Sequence, residues 1–289
     1  MFEGFRQTRV LANGLHLNVR VGGSGPPVLM LHGYPQTHVM WRKVAPRLAE
    51  RFTLVMPDLR GYGDSDKPTG TPDHATYSKR VMARDQVELM RGLGFERFRV
   101  VGHDRGGRVA HRLALDHPER VQCIAVLDIV PTRVMYLKTN RTFAKGYYHW
   151  FFLVQPAPFP ETLIATNPET YLRHHMGARH AGLEPFMPDA WPEYLRCFSD
   201  PASIHATCED YRAAESIDLE HDEADLDRRI DAPFLSLWGR HGMIERCFDG
   251  IADWRDRAPR VHGRSLDCGH YLAEECPAET AAELLAFLA

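Results

Sequence analysis

The 289-residue sequence predicts an α/β protein in which a mostly parallel, doubly wound sheet carries an inserted helical cap. Short apolar runs alternate with helix-like stretches, which is the pattern of a sheet covered by helices on both faces. The pattern changes after residue 131, where aromatic residues crowd positions 143–152 and prolines follow in quick succession. We therefore expect residues 1–131 and 218–289 to form the core and residues 132–217 to form the cap.

The strands of the core are predicted from runs of apolar and β-branched residues. Residues 15–21 alternate between apolar and polar side chains, as expected of an early antiparallel strand. Continuous apolar runs predict buried strands at 28–32, 52–56, 98–102, 123–127 and 234–238. Helix-forming residues 108–116 follow the third of these runs after a very short connection.

Composition and charge exclude several classes of function. The chain is 44% hydrophobic and 25% charged, with a net charge of −3, so no basic surface for nucleic acid is indicated. No apolar run approaches the ~20 residues of a membrane span, and the N-terminus lacks the apolar core of a signal peptide. Six cysteines without C-x-x-C spacing are typical of reduced thiols. These features predict a cytoplasmic protein with no nucleic-acid or membrane partner.

A metal centre is not expected, although the chain contains 16 histidines. The sequence has no H-E-x-x-H motif, and His174 and His175 are adjacent rather than one helical turn apart. The clustering of ligands that a zinc site requires is therefore missing.

The segment Gly102-His-Asp-Arg-Gly-Gly107 connects a predicted strand to a predicted helix. Small residues two positions before and two after Asp104 permit a sharp, strained turn, which is the nucleophile elbow of the α/β-hydrolase fold. The alternative is that Asp104 caps the helix that follows. A carboxylate is already nucleophilic at neutral pH, so an aspartate here suits displacement of a leaving group from saturated carbon, with an ester as the intermediate.

Hydrolysis of such an ester needs a base, a water molecule and an oxyanion hole. His270 follows the last predicted strand and is the expected base. No carboxylate follows that strand until Glu245, whereas Asp128 stands at the end of the preceding one, so Asp128 is assigned as the acid that orients the histidine. A structural aspartate at the entry to the cap is the alternative. The backbone N–H groups of Tyr34 and Arg105 are the expected oxyanion hole.

Two arginines in the first turn of the helix after Asp104 point to an anionic substrate. Arg105 and Arg108 can converge on one ligand, and cations at this end of a helix oppose its dipole. A substrate carboxylate would account for them, because a guanidinium binds a carboxylate through two parallel hydrogen bonds. They could instead be surface arginines bonded to nearby acids, or one could bind substrate while the other holds the cap.

Seven segments of the chain resemble those of a known family. They are His32-Gly-Tyr-Pro-Gln36, Asp58-Leu-Arg-Gly-Tyr-Gly-Asp-Ser65, His103-Asp-Arg-Gly-Gly-Arg108, Leu127-Asp-Ile-Val-Pro-Thr132, His149-Trp150, Cys208-Glu-Asp-Tyr-Arg-Ala213 and Gly269-His270. The first two are shared by many hydrolases, whereas the third to sixth together are specific. Over essentially its whole length, the chain resembles the fluoroacetate dehalogenases, a cofactor-free branch of the α/β-hydrolases.

The resemblance implies an enzyme that converts small 2-haloacids, fluoroacetate or chloroacetate, to glycolate and halide. It also implies that this enzyme is a homodimer and needs no cofactor. From the sequence without this resemblance, His149 and Trp150 would be interpreted as a pair of residues in the hydrophobic core. The implied site comprises a nucleophile, a base and its acid (Asp104, His270 and Asp128), two carboxylate-binding residues (Arg105 and Arg108) and three halide-binding residues (His149, Trp150 and Tyr211).

Two other kinds of function remain open. An epoxide hydrolase or haloalkane dehalogenase would use the same aspartate nucleophile, but a neutral haloalkane gives Arg105 and Arg108 nothing to bind. A non-catalytic binding module on the same fold is the second alternative, since fold does not fix function. Such a module would have no use for Asp104, Asp128 and His270 together.

Overall fold

The computed structural model describes residues 1–289 and has an eight-stranded sheet at its centre. The strands are β1 (Arg6–Ala12), β2 (Leu15–Gly22), β3 (Pro27–Leu31), β4 (Thr53–Pro57), β5 (Phe98–His103), β6 (Val121–Leu127), β7 (Phe234–Gly239) and β8 (Val261–Leu266). Their order across the sheet is β1-β2-β4-β3-β5-β6-β7-β8. The pairs β1–β2 and β2–β4 are antiparallel, and all other neighbours are parallel.

Helices cover the sheet and form the segment between β6 and β7. They are α1 (Ala45–Ala49), α2 (Lys79–Gly92), α3 (Asp104–Asp116), α4 (Thr132–Leu137), α5 (Arg141–Gly146), α6 (His149–Phe152), α7 (Phe159–Thr166), α8 (Pro168–Gly177), α9 (Trp191–Phe198), α10 (Pro201–Glu215), α11 (Ile217–Ala224), α12 (Met243–Cys247), α13 (Ala252–Arg255), α14 (Leu272–Glu275) and α15 (Pro277–Leu288). Short 3₁₀ helices lie at His38–Lys43, Ala75–Tyr77 and Glu184–Phe186. None of the helices combines the length and apolar character that a membrane span requires.

The predicted fold class is confirmed, and all six strands predicted from the sequence are present. Two strands, β1 and β8, were not predicted, and they form the two edges of the sheet. Most residues of β1 and of β8 are exposed or only partly buried, so neither contains the continuous apolar run that identifies a buried strand. The helix predicted from residue 108 begins earlier, at Asp104.

Eight helices, α4–α11, lie between β6 and β7, as the change of pattern after residue 131 predicts. The first begins at Thr132, and the last continues to Ala224. The division of the chain into a core and a cap at 131/132 and 217/218 stays a prediction.

The turn between β5 and α3 brings the backbone of three segments very close together. Asp104 adopts a left-handed conformation with φ of +46°. A Cβ atom on Gly102 would lie 2.5 Å from the carbonyl oxygen of Gly106, and a Cβ atom on Gly106 would lie 2.4 Å from that of His32. Only glycine fits at these two positions, so the small residues that indicate the turn are required by its packing.

Candidate active site

The parallel strands deliver the predicted catalytic residues to one edge of the sheet, because each residue follows the carboxyl end of its strand. Asp104 follows β5, Asp128 follows β6, and His270 lies in the connection after β8. His270 Nδ1 lies 2.5 Å from Asp128 Oδ2, and Asp128 Oδ1 accepts a hydrogen bond of 2.9 Å from the backbone N–H of Gly239. All three side chains are buried. The structure thus brings together the histidine and the acid assigned to it.

One oxygen of the Asp104 carboxylate is held by the backbone. The N–H of Tyr34 donates to Asp104 Oδ1 over 3.0 Å. Gly33, which precedes Tyr34, permits this approach, because a Cβ atom there would lie 2.6 Å from Asp104 Cβ. The other oxygen, Oδ2, accepts no hydrogen bond from the protein. Tyr34 is predicted as part of an oxyanion hole, and this role stays a prediction.

The ionisation of the two central groups suits a carboxylate nucleophile beside a neutral histidine. Burial opposes ionisation of Asp104, but nearby histidines and arginines, Arg108 among them, lower its pKa to about 2. Burial, together with the guanidinium of Arg179, lowers the pKa of His270 to about 3. At neutral pH Asp104 is therefore charged. His270 is neutral, and when its Nδ1–H donates to Asp128, the lone pair on Nε2 can accept a proton.

Arg105 is paired with an acid of the helical segment. Its Nε donates to Asp210 Oδ2 at 2.9 Å, and its Nη2 donates to Asp210 Oδ1 at 2.8 Å and to the Asp210 carbonyl at 2.7 Å. Burial alone would raise the pKa of Asp210, but Arg105 and Lys79 hold it well below its usual range. Only Nη1 of Arg105 remains buried without a partner. This arrangement matches the alternative in which one arginine holds the cap; a carboxylate-binding role for Arg105 stays a prediction.

Arg108, in contrast, meets only neutral partners. Its Nη1 donates to Thr132 Oγ1 at 2.9 Å and to the carbonyl of Val130 at 3.2 Å, and its Nη2 contacts the sulfur of Met135 at 2.9 Å. Its Nε has no partner, and the side chain forms no salt bridge although the residue is only 3% exposed. Burial and the charge of Arg105 lower the pKa of Arg108. The charge of Asp104 acts in the opposite direction on this pKa, but Asp104 forms no salt bridge with Arg108. A buried cation without a directly bonded counterion is costly, so this guanidinium is suited to bind an anion.

The three residues implied to bind halide lie beside the two arginines. The rings of Trp150 and Tyr211 are 6.1 Å apart, and His149 is 5.7 Å from Tyr211. The guanidinium of Arg108 lies over the Trp150 ring at 4.7 Å, and that of Arg105 over Tyr211 at 4.2 Å.

Two hydrogen-bond donors of this group are unused. The Trp150 indole N–H and the Tyr211 hydroxyl are both buried without a partner. Burial and the neighbouring His175 hold the pKa of His149 well below its usual value, so its ring is neutral. The three residues therefore form a buried cluster of neutral side chains with free donors on Trp150 and Tyr211, and its role as a halide site stays a prediction.

Sequence reasoning missed three residues at this site. Asp210, which pairs with Arg105, directly precedes Tyr211 in a matched segment and could have been found there. The Tyr147 hydroxyl lies 3.3 Å from His270 Nδ1. The Arg179 guanidinium lies 4.9 Å from the centre of the Tyr147 ring. Neither Tyr147 nor Arg179 belongs to a recognisable motif, so only the folded chain reveals them.

Comparison with known proteins places the chain in a family. The alpha/beta hydrolase fold family matches residues 26–277. The chain is 48% identical over 289 residues to a fluoroacetate dehalogenase of Burkholderia sp, covering 100% of this chain and 95% of that protein. The chain belongs to the fluoroacetate dehalogenase family.

Other members of the hydrolase fold are also similar. A soluble epoxide hydrolase of Corynebacterium sp. (strain C12) is 34% identical over 93% of this chain and 92% of its own. A solved structure of a protein from Nostoc sp PCC 7120, assigned to the α/β-hydrolases, is 58% identical with a TM-score of 0.98, covering 100% of this chain and 99% of that one. Membership of the fluoroacetate dehalogenase family makes this chain a hydrolase, as the resemblance found in its sequence implies.

The pairing of Arg105 with Asp210 predicts a large loss of stability when the acid is neutralised. In Asp210→Asn, Arg105 and Lys79 lose a buried counterion, and the free energy of unfolding should fall by about 3–5 kcal/mol. Glu169→Gln is the control, because the Glu169–Arg173 pair is exposed and should contribute less than about 1 kcal/mol. Chemical denaturation measures both. Equal losses in the two variants would show that the buried pair does not stabilise the fold.

Proposed function

We propose that the protein hydrolyses small 2-haloacids, converting fluoroacetate or chloroacetate to glycolate and halide through an ester on Asp104. The observation that carries this proposal is the buried guanidinium of Arg108, which has only neutral partners and lies near a carboxylate nucleophile. A haloacid supplies the missing negative charge and presents its carbon–halogen bond at the same time.

In the first step, Asp104 Oδ2 attacks the carbon that bears the halogen. A C–O bond forms, the C–halogen bond breaks, and the halide leaves with the bonding electron pair. The N–H of Tyr34 holds Oδ1 and so leaves Oδ2 as the attacking atom. Arg108 binds the substrate carboxylate, and the unpartnered Nη1 of Arg105 adds a second donor. No base is needed, because Asp104 is ionised at neutral pH.

The departing halide would be stabilised by the donors of Trp150 and Tyr211, whose indole N–H and hydroxyl are buried without a partner. His149, which is neutral, completes the pocket. Donors aimed at charge that develops in the transition state act mainly on rate rather than on binding of the substrate. Fluoride benefits most, because it is a poor leaving group and a small, hard anion.

In the second step, His270 Nε2 takes a proton from water, and the resulting hydroxide attacks the carbonyl carbon of the Asp104 ester. The oxyanion develops on Oδ1, where the N–H of Tyr34 already lies 3.0 Å away. The N–H of Arg105 is the expected second donor. Collapse of this intermediate breaks the bond between the Asp104 carbonyl carbon and Oδ2, which leaves as the hydroxyl oxygen of glycolate and takes the proton from His270. The new carboxyl group of Asp104 loses its proton to solvent, which restores the carboxylate. Asp128 fixes the imidazole and stabilises its protonated form.

The buried guanidinium of Arg108 also argues against an epoxide or a haloalkane as the substrate. An epoxide or a haloalkane is neutral and would leave the buried Arg108 guanidinium without a salt-bridge partner. Besides the aspartate nucleophile, an epoxide hydrolase could use the unpartnered Tyr211 hydroxyl to protonate the epoxide oxygen. A non-catalytic module would need neither the Asp128–His270 pair nor the strained turn at Asp104. A homodimer and a cytoplasmic location stay predictions that accompany this proposal.

The covalent route predicts that His270→Asn separates the two steps. Alkylation does not need the base, whereas hydrolysis does, so a carboxymethyl ester should accumulate on Asp104 after incubation with chloroacetate. Peptide mass spectrometry locates the adduct. His262→Asn, in the exposed strand β8, is the control and should turn over without accumulating ester. Absence of an adduct from the His270 variant, or an adduct on another residue, would contradict the mechanism.

The halide pocket predicts a selective loss of defluorination. Trp150→Phe and Tyr211→Phe keep an aromatic ring and delete one donor, so kcat for fluoroacetate should fall strongly, by up to about 2.7–4 kcal/mol in activation free energy. Chloroacetate turnover should fall much less. Trp41→Phe is the control, because its indole N–H is also buried without a partner but lies outside the site.

Halide release by the three variants on both substrates measures the effect, with folding checked by circular dichroism. Equal losses on fluoroacetate and chloroacetate would mean that the aromatic residues shape the pocket without assisting fluoride. No loss on either substrate would show that Trp150 and Tyr211 only pack in the core and do not assist the reaction.

A further inference from the structure

A third arginine, Arg179, lies close to the catalytic histidine and has no acidic partner. It follows helix α8 and is only partly buried. Its guanidinium lies 4.9 Å from the ring centre of Tyr147 and 5.5 Å from that of Tyr271. Its Nη2 is 3.4 Å from His175 Nε2, and its Nε is buried without a partner. Two aromatic rings thus fix a cation that forms no salt bridge.

This cation lines a cavity that connects the surface with the catalytic base. The cavity has a volume of about 270 Å³, and its lining includes Arg179, His180, His241, Arg246 and His270. Arg246 and His180 are exposed, whereas His270 is only 3% exposed, so the cavity leads inward from solvent to the base.

The charged residues that line the cavity, Arg179 and Arg246, are both positive. No aspartate or glutamate is among the lining residues. Three carboxylates lie behind the lining. Asp267 accepts from His241 Nε2 at 2.9 Å and is 67% exposed to solvent, Glu275 accepts from the N–H of Gly269 at 2.6 Å, and Asp128 pairs with His270. A cleft lined by charges of one sign concentrates ligands of the opposite charge and speeds their association.

We propose that this cavity is the entrance for the anionic substrate, and that Arg179 binds the carboxylate of an incoming haloacid before Arg108 does. The inference rests on the proposed function, which requires an anion to reach a buried site. The stacking on Tyr147 and Tyr271 holds the guanidinium in place at the cavity wall, and no acid of the protein forms a salt bridge with it. Arg179 is thereby a specificity-determining residue that acts on capture rather than on cleavage of the carbon–halogen bond.

The test compares Arg179→Gln with Arg173→Gln. Arg173 is a matched control, because it lies on α8, stacks on Trp191 at 4.8 Å and pairs with Glu169 on the surface. Each variant removes one positive charge. For chloroacetate, Arg179→Gln should lower kcat/KM about tenfold or more and flatten its dependence on salt concentration, and it should lower kcat/KM more than kcat. Arg173→Gln should leave all three quantities close to those of the wild type.

Arg179→Lys separates charge from positioning. If Arg179 captures the substrate, lysine should recover most of kcat/KM and of the salt dependence, since it keeps the charge. The inference is overturned if Arg179→Gln matches Arg173→Gln, or if it lowers kcat at saturating substrate and lysine does not restore it. The latter result would assign Arg179 to positioning Tyr147 and His270. An absence of halide release from the wild type would instead contradict the proposed function itself.

Discussion

The buried guanidinium of Arg108 is the constraint on which the interpretation of this site depends. Two arginines stand one helical turn apart in α3, but only Arg105 has an acid, Asp210, to neutralise it. Arg108 is held by a hydroxyl, a carbonyl and a thioether, which orient it without cancelling its charge. A bound anion would give Arg108 the directly bonded counterion that the protein does not supply, and this would favour a haloacid over the neutral substrates of related hydrolases.

The proposed chemistry depends on the turn at the carboxyl end of strand β5. The turn after β5 places Asp104 in a left-handed conformation that the close approach of Gly102 and Gly106 makes possible. The same packing brings the N–H of Tyr34 onto one carboxylate oxygen and leaves the other without a partner. In the proposed mechanism one backbone donor would therefore serve both steps, first by orienting the nucleophile and then by stabilising the oxyanion on the same atom.

The sequence alone predicts the sheet, the inserted helices and the turn at Asp104, because apolar runs and glycine spacing depend on local chemistry. It does not predict β1 and β8, whose edge positions leave them exposed and without a buried run. Nor does it tell Arg105 from Arg108, since their difference is set by Asp210, a residue more than 100 positions away. Arg179 was missed for the same reason: its neighbours come from separate segments that only folding brings together.

The claim that Arg108 requires an anion is tested most directly by binding, without any chemical step. Acetate and acetamide have almost the same shape, but only acetate is charged, and neither can alkylate Asp104. Isothermal titration calorimetry should find that acetate binds the wild type far more tightly than acetamide does. In Arg108→Met the affinity for acetate should fall by about thirtyfold or more, as expected when one member of a buried charge pair is lost. Equal affinity for the two ligands, or unchanged acetate binding in the variant, would contradict the account.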